Sequence, residues 1–193
     1  MYVRDAKNRD EAWLLEHIEA LGLDETAFRS RDYVIAMDEY DHDRAGFGRI
    51  RIHKTDSGEI CELTSIGVLE DWREQGVGAH VVERLVTTAR DRDFDVVYSL
   101  TSADRYLKQF GFTRLPEDEL PPVLQKRLEE KRENLDSEAV PMRIQPDRFR
   151  MPEHLRDAFK GAHPDSGDQE PEEGPEDFGI DPDEVTYKYD TGN

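Results

Sequence analysis

Cysteine is nearly absent from this sequence: of 193 residues only one, Cys61, carries a thiol. That excludes an internal disulfide and any cysteine-rich metal cluster. Cys61 sits beside Glu62 in a strand pattern and reads as a buried, inert thiol. The six histidines show no metal-ligand spacing, so no metal is expected. Long apolar runs are missing too, which excludes a transmembrane helix. The opening MYVRDAKNRDE has no apolar stretch behind a basic start and does not read as a signal peptide. A soluble, cytoplasmic protein is therefore the expectation. There is no internal repeat, no G-x-G-x-x-G after the first strand pattern and no G-x-x-x-x-G-K-[ST] loop, so a dinucleotide fold is not indicated.

Positive charge is the next shortage. The 26 Lys and Arg face 45 Asp and Glu, for a formal net charge of −19, and only 7 of the 26 are lysines. Nucleic acid and anionic membranes both demand a cationic footprint, so neither is an expected partner. Residues 161–193 hold 11 acidic residues against the single base Lys188, a charge of −10, which leaves −9 for residues 1–160. The body is thus acidic as well as the tail. A lysine-poor, acidic surface resembles that of proteins adapted to high cytosolic salt, where screening tolerates self-repulsion.

Residues 10–22 read as a helix with Trp13, Leu14, Ile18 and Leu21 as its stripe and Gly22 as its stop. A short helical piece is expected near 25–29. Tyr33–Met37 and Gly46–Lys54 read as strands of a hairpin, the second alternating Phe47, Arg49, Arg51 and His53 on one face with Gly48, Ile50 and Ile52 on the other. Asp56-Ser57-Gly58 is a tight turn. Downstream come a buried strand at 96–100, a short helix at 104–110 stopped by Gly111, a strand at 112–115, a charged helix from Pro121-Pro122 to about Asn134 and a strand at 140–144. A small helix is expected within 149–160. Residues 161–193 should form a mobile acidic tail in which Tyr187 and Tyr189 could dock. Meandering strands followed by strand–helix alternation describe a mixed α/β (α+β) fold, a mixed sheet with helices on both sides.

The richest stretch is Glu62–Leu85, ELTSIGVLEDWREQGVGAHVVERL. It reads as a strand to Val68, a turn at Arg73-Glu74-Gln75-Gly76-Val77-Gly78, and a helix with Val77, Val81, Val82, Leu85 and Val86 as its apolar face. Two glycines at a helix mouth leave N–H groups unshielded, which makes an anion site suited to a phosphate.

Strand, R-x-x-G-x-G, helix, strand, then an aromatic helix ending in Gly-Phe resembles the GNAT superfamily of N-acetyltransferases. The residues that carry the likeness are Ile66-Gly67-Val68, Arg73, Gly76, Gly78 and Tyr106-Leu107-Lys108-Gln109-Phe110-Gly111-Phe112. Cys61–Leu128 is similar in particular to the acetyltransferase domain of N-acetylglutamate synthases; the kinase-like domain that accompanies many of those enzymes has no counterpart within these 193 residues. The resemblance implies a GNAT-like central mixed sheet with a splayed strand pair, flanked by helices. It implies residues 1–146 as the acetyltransferase domain, 147–160 as a short helical extension and 161–193 as the tail.

It also implies acetyl-coenzyme A as cosubstrate. Its pyrophosphate would lie on the N–H groups of Gln75, Gly76, Val77, Gly78 and Ala79, with Arg73, Glu74 and Gln75 in the same turn. The pantetheine arm would pair with Ile66–Val68, Gly67 would clear room for the thioester, and the Val68 N–H would face the developing oxyanion. An acceptor ammonium, of pKa about 8 to 10, must lose a proton before attack. Glu62, six residues before Val68 and so assigned to the same strand face, matches the family's general base; a solvated or salt-bridged glutamate is its structural alternative. Leu107 stands where many members carry an acid tyrosine. Tyr106, one residue earlier, reads either as an aromatic core residue or as the acid, with Ser102 or a water as substitutes. Arg49 and Arg51, with His53, either recognise an acidic acceptor or form a solvated face.

Three functions follow: an N-acetyltransferase of a small amine such as an amino acid (glutamate among them), a protein N-terminal or lysine acetyltransferase, and a non-catalytic coenzyme A-binding module. An acidic body would favour basic peptides in the second case. The oligomeric state is open, and a homodimer is compatible with the sequence.

Overall fold

A computed structural model describes residues 1–164. The tail expected at 161–193 and the docking of Tyr187 and Tyr189 lie almost wholly outside the described residues. The elements are β1 (Tyr2–Asp5), α1 (Glu11–Ala20), β2 (Tyr33–Met37), β3 (Arg44–Thr55), β4 (Gly58–Val68), α2 (Val77–Asp91), β5 (Val97–Thr101), α3 (Asp104–Lys108), β6 (Thr113–Arg114), α4 (Pro122–Asn134), β7 (Val140–Ile144) and α5 (Glu153–Lys160). No helix among the described residues is long and apolar enough to cross a membrane.

The seven strands form one sheet in the order β1-β2-β3-β4-β5-β7-β6, antiparallel throughout except for β4 beside β5. Strand alternation divides the core between the two faces of the sheet. Val34 and Ala36 join the α2 side with Val81, Val82, Leu85 and Val86. Tyr33, Ile35, Met37 and Phe47 join the α1 side with Leu14 and Ile18. A third group, Leu100, Leu115, Leu120, Leu124 and Leu128, seats α4. Cys61 is fully buried among the α2-side residues, and burial pushes its thiol up to about 12; it is the inert thiol expected.

Two local expectations change. The chain opens with the edge strand β1, which has no counterpart in the sequence reading. The segment 25–29 forms a turn rather than a helix, with Ala27 at φ +52°.

The feature that positions the site is the parting of β4 from β5. Their parallel ladder holds only Cys61–Val97, Glu62–Tyr98 and Leu63–Ser99. Ser99 Oγ donates to Leu63 O (3.1 Å) at the last rung. Beyond it β4 runs on to Val68 and β5 to Thr101 without pairing, so a cleft opens between them.

Candidate active site

The cleft has a volume of about 630 Å3 and runs from the mouth of α2 to the C-terminal part of α4 and the loop after it. Its β4 wall is Leu63–Ile66 and Val68; its β5 wall is Ser99–Ala103. At the mouth end lie Arg73, Glu74, Gly76 and Gly78, and at the far end Asp24, Lys131 and Asp136.

The mouth follows from its backbone. Glu74 and Gly76 take left-handed φ values of +61° and +73°, which turns successive N–H groups toward one side. Gly76 is the N-cap of α2, no side chain caps the helix, and the first turn closes with His80 N–H donating to Gly76 O (3.2 Å). The N–H groups of Val77, Gly78 and Ala79 therefore have no intrahelical partner and stand at the positive end of the helix dipole. A diphosphate fits this cradle chemically. The Gln75 amide is engaged elsewhere: Nε2 donates to Asp71 O (3.1 Å) and Oε1 accepts from the His163 N–H (2.9 Å).

Several sequence assignments are relocated. Glu62 and Val68 do not share a face. Ser65, at φ +50°, adds a residue to β4, so that Phe47 pairs with Gly67 whereas Arg49 pairs with Thr64. The bulge reverses the alternation, placing Ile66 and Val68 toward α2 and Gly67 on the face of Glu62. Gly67 does not clear room in the cleft either. A Cβ there would meet Leu21, Phe47 and Leu23 at 2.7–3.1 Å, so the glycine is required by packing against the chain after α1. Arg49 faces no acceptor: it is 1% exposed, donates to the carbonyls of Thr26 and Ala27 and lies over the Tyr33 ring. Its work is to hold the 24–27 turn to the sheet. Arg51 is 3.8 Å from Asp24 and is partly exposed beside the cleft's far end.

Tyr106 is the reverse case. It is not core: it is 38% exposed and lines the cleft, its hydroxyl 3.0 Å from where a Cβ on Gly78 would sit. Leu107 is the one driven into the core, 3% exposed. Partial burial raises the Tyr106 hydroxyl to about 12, so it stays protonated and can donate.

Glu62 is fully buried, just behind the cleft-lining Thr64. Its Oε2 lies 2.7 Å from His53 Nε2 and 3.5 Å from Arg127 Nε, while Oε1 has no hydrogen-bond partner. Arg127 also pairs with Asp24, whose backbone carbonyl accepts from Ser65 Oγ (2.6 Å). A strand pattern alone does not reveal this network, but the charged helix contains a signal for it. Arg127 and Lys131 each fall three residues after a buried leucine, Leu124 and Leu128 respectively, on the helix face that turns inward. Lys131 lines the cleft, donates to Leu100 O, and has its ammonium pKa lowered by burial, an effect that the nearby Glu62 opposes. Asp136 accepts the Ser102 N–H (2.8 Å) close by.

Residues 2–112 match the Acetyltransferase (GNAT) family. The chain belongs to this family. It is accordingly an acyltransferase, and acetyl-coenzyme A is the acetyl donor that GNAT enzymes use. No curated protein matches the sequence. Among solved structures, N-acetylglutamate synthase from Neisseria gonorrhoeae, complexed with coenzyme A and N-acetyl-glutamate, is similar with a TM-score of 0.60 and 18% identity over 74% of this chain. The chain spans about a third (34%) of that enzyme's length. A Mycobacterium tuberculosis protein in complex with CoA and NLQ gives a TM-score of 0.61 at 16% identity, covering 75% of this chain and 99% of that one. Arabidopsis thaliana Naa50, in complex with the bisubstrate analogue CoA-Ac-MVNAL, gives 0.52 at 14% identity, covering 74% and 97%. At these identities the likeness establishes the shared GNAT fold. Among the described residues, no three His, Cys, Asp or Glu side chains gather as metal ligands would.

Proposed function

We propose that this GNAT enzyme acetylates the amine of a small acceptor carrying a carboxylate, an amino acid such as glutamate, by direct attack within a ternary complex. The observation that carries this reading is Lys131, a cation held inside the far end of the cleft, opposite the phosphate mouth. A carboxylate beside it would regain the ionic partner that burial denies it. N-acetylglutamate synthase and the protein complexed with NLQ, which share this fold, are consistent with an amino-acid acceptor.

Acetyl-coenzyme A supplies the acetyl group as a thioester. The N–H groups at the mouth of α2 would hold its diphosphate, and the edge of β4 from Ile66 to Val68, freed by β5, would pair with its amides. Glu62 serves as the base. Its unpartnered Oε1 takes the amine's proton by way of the Thr64 hydroxyl side of the cleft, and His53 and Arg127 fix the carboxylate's orientation. Tyr106 stands on the wall by Gly78 as a protonated donor for the departing thiolate.

Thiol release from acetyl-coenzyme A, followed across amino acids, polyamines and peptides, tests the reading. Turnover should be highest with acidic amino acids. Preferential turnover of peptide N-termini, as the likeness to Naa50 would favour, would replace the acceptor assignment. Tight cofactor binding without turnover of any amine would remove the enzyme reading. Glu62→Gln should lower the rate roughly a hundredfold or more with cofactor affinity retained; an unchanged rate and pH profile would take the base role from Glu62.

A further inference from the structure

The segment after β7 lies outside the residues that match the family, yet it is built into the phosphate end of the cleft. Four contacts tie it there. Gly76, the N-cap of α2, lies directly under α5: a Cβ on Gly76 would fall 2.2 Å from Leu155 O and 3.2 Å from Phe159 N. The Phe159 ring stacks on His80 in the first turn of α2, at 3.8 Å between centroids and 10° between planes. Arg156 pairs with Glu83 one turn further on (3.0 Å). Past the end of α5, the His163 N–H donates to Gln75 Oε1, and the other end of that amide holds Asp71 O. Leu155 itself is part of the cleft wall, with Gly76 and Gly78.

These contacts fall on the part of the turn least able to hold its own shape. Glu74 is a non-glycine residue in the left-handed region and Gly76 follows it there. Such a backbone persists when its surroundings over-determine it. Here Gln75, between the two, is clamped at both ends of its amide, and Gly76 is pressed from above by α5.

We propose that α5 and the residues after it, to His163, are a working part of the cofactor site: they hold the Glu74–Gly78 turn in the shape that receives the diphosphate. Docking of α5 and binding of the cofactor then strengthen each other, because a coupling between two binding events is reciprocal. The inference rests on the reading of this turn as the phosphate site.

The test uses the full chain with coenzyme A as the probe. Hydrogen exchange of the 153–161 amides should slow by about tenfold on saturation with coenzyme A, and Phe159→Ala should weaken coenzyme A binding by about tenfold in calorimetry. Unchanged exchange in 153–161, or a Phe159→Ala protein that binds coenzyme A as tightly as the parent, would overturn the proposal. Tighter binding by Phe159→Ala would also overturn it, by making α5 an obstruction. Failure of the unmodified chain to bind coenzyme A would instead remove the phosphate-site reading on which the proposal stands.

Discussion

Lys131 and Glu62 reach the site by different routes, and each carries its own consequence. Lys131 is brought in by helix geometry. Because it would bind acceptor and not donor, Lys131→Met should raise KM for a carboxylate-bearing acceptor by roughly ten- to a hundredfold, the worth of a hydrogen bond to a charged group. KM for acetyl-coenzyme A should stay unchanged. Lys131→Arg keeps the charge and should recover part of the loss; steady-state kinetics with each substrate varied in turn distinguishes these outcomes. Lys131 was in principle legible, since Leu124, Arg127, Leu128 and Lys131 keep helical spacing. What hides it is that a charged helix with a thin apolar stripe reads as a solvated one. Glu62 is legible from its position in the cleft strand, six residues before Val68, but its orientation is not. One bulge at Ser65 reverses every later side chain, and no residue type in that stretch announces it. The Tyr106 core reading failed for a similar reason: in a helix as short as α3, one step of rotation exchanges core with cleft, and Leu107 took the core.

At the level of elements, the central strand–turn–helix and its neighbours were legible because each carries a strong local signal: β-branched runs, paired glycines, and an apolar face at helical spacing. The strand β1 carries none of these. Its four residues include Arg4 and Asp5, and it is placed by partners far along the chain. The strand β2 is one of them, and Arg4 adds a nearer partner, Asp10. Its carboxylate is fully buried before α1, bonded by Arg4 from β1 (2.8 and 3.0 Å), the Lys7 N–H (2.9 Å) and Arg44 from β3 (3.0 Å). The Arg4 hydrogen bond above all, with the Lys7 and Arg44 bonds, holds this carboxyl well below the usual carboxylate range against the opposing effect of burial. A carboxyl depressed in the folded state contributes stability that is present above its unfolded value, about 4, and lost as pH falls through the folded value. Asp10→Asn should therefore lower Tm at neutral pH, and the gap from the parent should narrow as pH falls below about 4. A gap that is constant with pH would show that the loss is one of packing rather than charge. The same carboxylate joins β1, α1 and β3, so amide exchange in β1 should rise in the variant.

Charge acts on the whole molecule in two opposed ways. The pairs that organise the site (Arg127 with Asp24, His53 with Glu62) and the one that anchors β1 (Arg4 with Asp10) are buried on their acidic side and little screened. The surplus of 19 negative charges is another matter. It repels itself through solvent, and the screening distance shrinks from about 10 Å at 0.1 M salt to about 3 Å at 1 M. Added salt should therefore relieve the repulsion and leave the interior pairs intact, so Tm of the full chain should rise through the molar range of KCl. A flat or falling Tm would mean that the surplus is offset locally and that the acidic surface needs another explanation. Salt also separates the two acceptor classes. A basic peptide would be drawn to this acidic body by its overall field, and its kcat/KM should fall steeply with ionic strength. A small amino acid of no net positive charge gains nothing from that field. It is recognised beside Lys131, inside the cleft, where screening is weak, so its kcat/KM should be nearly level or should rise as the repulsion of an anionic acceptor is screened. Measured on one preparation, a steep fall for peptides alongside a level or rising curve for amino acids would assign the acceptor to the cleft. A steep fall for the amino acids would place their recognition on the surface and remove Lys131 from the acceptor site.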